Sequence, residues 1–334
     1  MRRTRLFAGF CTLAVLAGAC SPATDEREPE PPSEARQSGD QELRWRRRAA
    51  APLARTENIA LRRGRRIYIV GGFVPPDGAT TRKVHVYNVR RNSWRRGRRL
   101  PIAVNHAMGA TLGGEVYVFG GYLGPGVSNP TDRGFVLRDG RWRSLPAMPE
   151  ARAAGGVVKV GGKLYVVGGV GPDGLGGDTF VFDPDTRQWT TAPGLSMPRE
   201  HLGVAAAGGK IYAVAGRTGG FASNTDAVES FDPATGLWSE ENPLPTARGG
   251  LAATATRNGF VVAVGGEGNE GTFEEAEAFD VTTGEWRALP PLPTPRHGLG
   301  VAARRSRVFV IAGGPEPGLT FSDVNEAINL SGLR

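Results

Sequence analysis

An arginine recurs five times at one place in a period of about 48 residues: Arg55, Arg152, Arg199, Arg248 and Arg296, with Asn105 filling a sixth position. Each stands four residues before a small or apolar residue at the start of a strand: Ile59, Gly109, Gly156, Gly203, Ala252 and Gly300. Five guanidiniums around one axis would form a positive funnel. Such a funnel suits carboxylates, which a guanidinium grips through two parallel hydrogen bonds. The same spacing also fits a structural part, each Arg pairing with a nearby Glu or with carbonyl oxygens. Glu229, Glu277 and Glu326 recur at equivalent positions and are the expected partners. Arg217 and Glu267 directly follow a pair of small residues, and Glu200 follows Arg199. These three join the Arg series and Asn105 as candidate ligand-binding residues.

Other chemistries find less support. The histidines are His85, His106, His201 and His297. His106 and His297 stand one residue after the Asn/Arg position and His201 two after, which on a strand turns the side chain to the opposite side. No metal site is expected, and no cofactor is implied. There is no phosphate-binding G-x-x-x-x-G-K-[ST] loop, and no Ser-His-Asp arrangement can be assigned.

What must position these residues is a repeat. Six tryptophans, Trp45, Trp94, Trp142, Trp189, Trp238 and Trp286, are separated by 49, 48, 47, 49 and 48 residues. Between them fall apolar strands ending in paired small residues: Gly71-Gly72, Gly120-Gly121, Gly168-Gly169, Ala215-Gly216, Gly265-Gly266 and Gly313-Gly314. The two series are out of phase. The chain opens on a Trp half-unit and closes on a Gly-Gly unit with no Trp after it, as a closed ring requires and a linear stack does not. Within residues 202–248 the pattern reads as four strands. A small-residue inner strand is followed by the apolar run Ile211–Ala215, buried on both faces, then by Val228–Phe231, the turn Asp232–Gly236 and an outer strand around Trp238. The last unit has its third strand at 324–330, so its outer strand is expected at Leu43–Arg47, supplied by the other end of the chain.

Four strands, a Gly-Gly corner, Tyr or Phe near the third strand and a spaced Trp resemble the kelch repeat. The resemblance covers roughly residues 41–331 and implies an all-β, six-bladed propeller with four antiparallel strands per blade around a channel, closed by the N-terminal outer strand. Chemistry does not follow from that fold, because kelch-type propellers bind proteins, bind sugars or host enzymes. The copper-radical oxidases of kelch type need a cysteine crosslinked to tyrosine. The only cysteines here are Cys11 and Cys20, and the mature domain has none to offer.

The N-terminus reads as an export signal. Arg2, Arg3 and Arg5 precede the apolar stretch Leu6–Leu16, which is too short to span a membrane. Leu16-Ala17-Gly18-Ala19-Cys20 resembles a bacterial lipobox with its Leu one place early, and Ala17-Gly18-Ala19 also satisfies ordinary signal cleavage. The expected organisation is a signal peptide over 1–19, a Pro/Glu-rich disordered tether over 20–40 and a propeller over 41–331. Cys20 is the expected lipidation site and membrane anchor. The chain is thereby placed in a bacterial cell envelope, or free in the periplasm or outside the cell if cleavage is ordinary. Residues 1–99 carry 22 Lys+Arg against 9 Asp+Glu, and residues 100–334 carry 19 against 24. Arg44, Arg46–Arg48, Arg62, Arg63, Arg65, Arg66, Arg95, Arg96, Arg98 and Arg99 should gather on the sector of blades one and six, where they could face anionic headgroups. Nucleic acid is not an expected partner of an exported chain, and a monomer is expected.

The function expected from these features is a surface-anchored binding module for a protein or an anionic carbohydrate at the channel mouth. One alternative is an enzyme on an acidic sugar, resembling the exported kelch-type sialic-acid mutarotases. Another is an envelope scaffold.

Overall fold

The computed structural model describes residues 43–333 and, before them, Ala14 alone. Apart from Ala14, the expected signal, Cys20 and the tether lie outside the described residues. Six four-stranded antiparallel sheets make up the blades, and three two-stranded ribbons lie in the loops between second and third strands. Blade four is typical. Its inner strand Gly203–Ala207 pairs with Lys210–Arg217, which pairs with Asn224–Asp232, which pairs with the outer strand Leu237–Glu241. The second strand is buried along nearly its whole length, because neighbouring blades cover both its faces. That is why its sequence is a continuous apolar run rather than an alternating one. Inner strands use Gly, Ala and Val because six of them converge on one axis. At Gly156 a Cβ would lie 2.3 Å from the Val204 side chain of the next blade, and at Gly203 2.7 Å from Ala253.

The closing blade is built from both ends of the chain. Gly300–Arg304, Arg307–Gly313 and Ser322–Asn329 are completed by Arg46–Arg47, with Arg46 opposite Ala327 and Arg47 opposite Glu326. Arg48 N–H and Ala51 N–H continue the seam onto the carbonyls of Asn325 and Asp323.

The tryptophans bolt the blades together. Each indole N–H donates to a backbone carbonyl of the preceding blade's outgoing link: Trp94 to Ala49, Trp142 to Arg98, Trp189 to Pro146, Trp238 to Pro193, Trp286 to Asn242 and Trp45 to Pro290, at 2.8–3.2 Å. In four blades the indole also packs on the third-strand aromatic, with Tyr87, Phe182, Phe231 and Phe279 at centroid distances of 4.9–5.2 Å. The sixth copy, from Trp45 to Pro290, joins residues 245 apart in sequence. Ring closure thus reuses the bond that joins every other pair of blades. Among the described residues no helix is long and apolar enough to cross a membrane.

Candidate functional site

The five arginines do not line the channel. Arg55, Arg152, Arg199, Arg248 and Arg296 are at most 1 % exposed. Their guanidiniums lie inside the blades, and in four of them they donate to the carbonyl of the first small residue of the corner: Gly71, Gly168, Ala215 and Gly265. Three are neutralised by the third-strand glutamates. Arg199 bonds Glu229, Arg248 bonds both oxygens of Glu277, and Arg296 bonds Glu326 at 2.8 Å. The positive funnel is therefore not formed. A buried guanidinium needs such partners, and these turn it into the blade and away from the axis.

The same third-strand position explains the other blades. In blade three it is Phe180, and Arg152 lies over its ring at 4.6 Å with Glu150 at 3.6 Å. In blade one it is His85, whose Nδ1 accepts from Arg55 at 2.8 Å. In blade two it is Phe135, and there the arginine position is occupied by Val104, not Asn105. The Val104 carbonyl bonds Gly72 N–H just as the Arg152, Arg199, Arg248 and Arg296 carbonyls bond Gly121, Gly169, Gly216 and Gly266. Met108, not Gly109, opens the strand, since Met108 pairs with Phe119 as Gly156 pairs with Val167. Where the charge is absent its partner is apolar, and Val104 and Phe135 share one hydrophobic cluster.

Blade one is the uncompensated case. Burial lowers Arg55 to about 10, and burial together with the Arg55 charge brings His85 down to about 4. Because the folded pKa of His85 lies below the unfolded value of about 6.5, the unfolded chain takes up the extra proton. Stability is then full above pH 6.5 and falls toward pH 4. Replacing His85 by Glu, the residue of blades four to six, supplies Arg55 with a counter-charge. It is expected to raise stability at pH 7 by about 1–2 kcal/mol and to flatten the melting temperature between pH 6.5 and 5. A pH series of thermal melts checks both.

Register also relocates the histidines. Two residues after the arginine position stand Glu57, His106, Ala154, His201, Gly250 and Gly298, all with φ between 49° and 67°. His106 and His201 are thus equivalent, and His297 is the one displaced, one residue after Arg296. The left-handed backbone suits the glycines at 250 and 298 and costs on the order of 1 kcal/mol at each non-glycine. It is imposed by a circle of backbone bonds. His106 N–H donates to Glu57 O, Ala154 to His106, His201 to Ala154, Gly250 to His201, Gly298 to Gly250 and Asn58 to Gly298, at 2.8–3.3 Å. This circle narrows one end of the channel.

At that end the polar side chains converge. His106 Nε2 lies 3.0 Å from His201 Nε2 and 3.1 Å from Glu57 Oε2. His106 Nδ1 meets Asn105 Oδ1 at 2.6 Å, and His201 Nδ1 meets Glu200 Oε2 at 2.8 Å. Arg217 donates to Glu200 at 2.9 Å and to Glu267 at 3.3 Å. His297 Nδ1 lies between Glu57 Oε1 at 3.2 Å and Glu267 Oε2 at 3.3 Å. Glu57, His106 and His201 form one trio, and Glu57, Glu267 and His297 another, whose ligand atoms all lie within 4.8 Å of one another. Asn105, Glu200, Arg217 and Glu267 are thus brought to one cluster. The five arginines stand apart from it.

Charge in this cluster is unequal, with three carboxylates against the one guanidinium of Arg217. Burial pushes Glu57 up, but the imidazoles of His106, His297 and His201 outweigh it and hold the carboxyl well below its usual range. Burial brings His106 down to about 4 against the pull of Glu57. Burial also opposes charge on His297, yet the bond to Glu57 and the charges of Glu57 and Glu267 raise it. Glu200, pushed up by burial, is brought lower by His201 and Arg217. Below the cluster runs a channel cavity of about 340 Å³ walled by Gly, Ala and Val of the inner strands, with Arg62 and Lys159 toward its far end. The sequence reading missed Glu57. Counting two residues on from each Arg would have found it, but blade two lacks the Arg that sets the count.

Six radial sheets, a Trp bolt between every pair of blades and a polar hub at one end of the channel define a closed six-bladed propeller. The family model of the KLHDC2/KLHL20/DRC7 Kelch-repeats domain matches residues 58–242, from the inner strand of blade one to the outer strand of blade four. The chain belongs to the kelch-repeat family, whose propeller is typically a protein-binding module. No curated protein matches the chain.

Proposed function

We propose that this propeller is an exported binding module, anchored through a lipid at Cys20, that presents its hub face to a protein partner. The observation that carries the reading is the distribution of exposed apolar side chains. Of the four large hydrophobics well exposed among the described residues, Val127 (55 %), Leu319 (53 %) and Met197 (41 %) belong to loops and links of the hub face. Only Leu237 (63 %) belongs to the other face. Loops of blades six, one and two form a shelf there: Leu319 packs on Gly78, and Thr80 donates to the Gly124 carbonyl. Apolar side chains exposed on the loops of one face give that face the means to contact a partner. On the opposite face, Arg62, Arg65 and Arg66 in blade one and Arg305 and Arg307 in blade six are exposed, which suits anionic headgroups beneath an anchored domain.

An acidic-sugar ligand fits less well. The guanidiniums that would have bound it are buried, and Arg217 is already engaged by two carboxylates. Two measurements test the proposal in cells. A photo-crosslinking side chain at position 127 should yield a discrete protein adduct that position 237 does not, and equal labelling at both would contradict the hub-face reading. Cys20→Ala should release the protein from membranes, and unaltered partition would contradict the anchor.

A further inference from the structure

The geometry points to a metal site: we propose that Glu57, His106 and His201 bind one divalent first-row transition ion, Zn²⁺ foremost, at the hub end of the channel. Asn105 Nδ2 faces three acceptors, Thr80 Oγ1 at 3.0 Å, Gly126 O at 3.3 Å and Tyr122 O at 3.5 Å. The amide is therefore oriented with Oδ1 toward His106, and an oxygen there requires His106 Nδ1 to be the protonated nitrogen. Glu200 imposes the same on His201, since a carboxylate only accepts. In the Nδ1–H tautomer each imidazole carries its lone pair on Nε2, and these two nitrogens face each other at 3.0 Å with the Glu57 oxygen 3.1 Å from the first. Electron-pair donors at 3.0 and 3.1 Å repel unless a cation lies between them, and the whole trio lies within 4.8 Å.

A metal ion answers the requirement in geometry and in kind. Tetrahedral zinc with bonds of about 2.0–2.1 Å separates its ligand atoms by about 3.3 Å, close to the spacings found. Two imidazoles and one carboxylate form a three-ligand set that leaves further positions open. Here those positions face the channel cavity, which all three residues line. The outer partners are also in place. A metal-bound His ordinarily donates its other N–H to a carboxylate or carbonyl, and here His201 donates to Glu200 and His106 to Asn105 Oδ1. Arg217 in turn fixes Glu200 at 2.9 Å. His297, held by Nδ1 between two carboxylates, offers no lone pair from that nitrogen and stays outside the set. All three ligand positions adopt left-handed backbone where glycine would be unstrained, and two other blades place glycine there. The chain retains strained Glu and His at the positions whose side chains converge.

The test uses the chelator-treated full chain and two probes, Zn²⁺ by calorimetry and Co²⁺ by absorption. One Zn²⁺ per chain is expected, with Kd below about 1 µM, and Co²⁺ should give the intense d–d bands of a four-coordinate centre. His106→Ala/His201→Ala should weaken Zn²⁺ binding at least 100-fold, and Glu200→Gln about 10-fold, with metal-free melting curves showing each variant folded. Should the double variant fail to fold, His201→Gln alone carries the comparison. Undiminished binding in the folded variants, no wild-type binding up to about 100 µM, or a Co²⁺ spectrum of the six-coordinate aquo type would overturn the assignment.

Discussion

Replacing Arg248 by Val is expected to destabilise the propeller by about 3–5 kcal/mol, because it strands the Glu277 carboxylate in a dry interior. Arg248 is fully enclosed and Glu277 is 4 % exposed. The pair is bidentate, and the guanidinium also holds the carbonyls of Gly265 and Thr246. In a domain of this size the loss amounts to roughly 10 °C in melting temperature. The double variant Arg248→Val/Glu277→Phe should recover a large part of it, since it writes into blade five the Val104 and Phe135 pairing that blade two already uses. Apolar replacement of a whole buried ion pair is often neutral, whereas removal of one partner is not. Thermal or urea melts of the two variants decide the matter. Equal destabilisation would mean that the arginine stabilises by something other than its carboxylate.

Deleting Leu43–Arg48 is expected to abolish cooperative folding at room temperature. The segment supplies the outer strand of blade six, the Trp45 bond to Pro290, and the packing of Leu43 and Trp45 against the cluster between blades five and six. A fully buried tryptophan is worth about 3–5 kcal/mol and half-buried Trp45 a part of that, against a total stability of about 5–15 kcal/mol. The exposed third strand Ser322–Asn329 would also become an open sheet edge that invites aggregation. Register suggests a rescue. Arg46 pairs with Ala327 and Arg47 with Glu326, so residues 43–52 moved to follow Leu333 would make an ordinary hairpin. Recovery of a single cooperative melt in that permuted chain is the expected outcome. A deleted chain that melts cooperatively near the wild-type temperature would show that the seam is not needed.

How far the sequence carried the structure depends on which residues set the count. The two out-of-phase series, Trp and paired small residues, gave the number of blades and the closing strand at Trp45, because both kinds of residue are fixed by packing between sheets. The site was legible only in part. The Arg series looked like a ligand ring because spacing reports equivalent positions but not whether a side chain turns toward the axis or into the blade. Its acidic partners at Glu229, Glu277 and Glu326 were the clue to the latter. Blade two misled the count by one residue. Val104 occupies the arginine position, so a count that starts from Asn105 puts His106 and His201 out of step although they are equivalent. Glu57 carried no signal of its own beyond standing two residues after Arg55.

In the hub two imidazoles turn their Nε2 lone pairs toward each other, and imidazole ¹⁵N NMR of the metal-free protein near pH 7.5 reads this directly. His106 and His201 should appear as Nδ1–H tautomers, set by Asn105 and Glu200, while His85, whose Nδ1 accepts from Arg55, should appear as the opposite Nε2–H tautomer in the same spectrum. Nε2–H resonances from His106 or His201 would contradict the account, because the lone pairs that make the hub a binding centre would not be there.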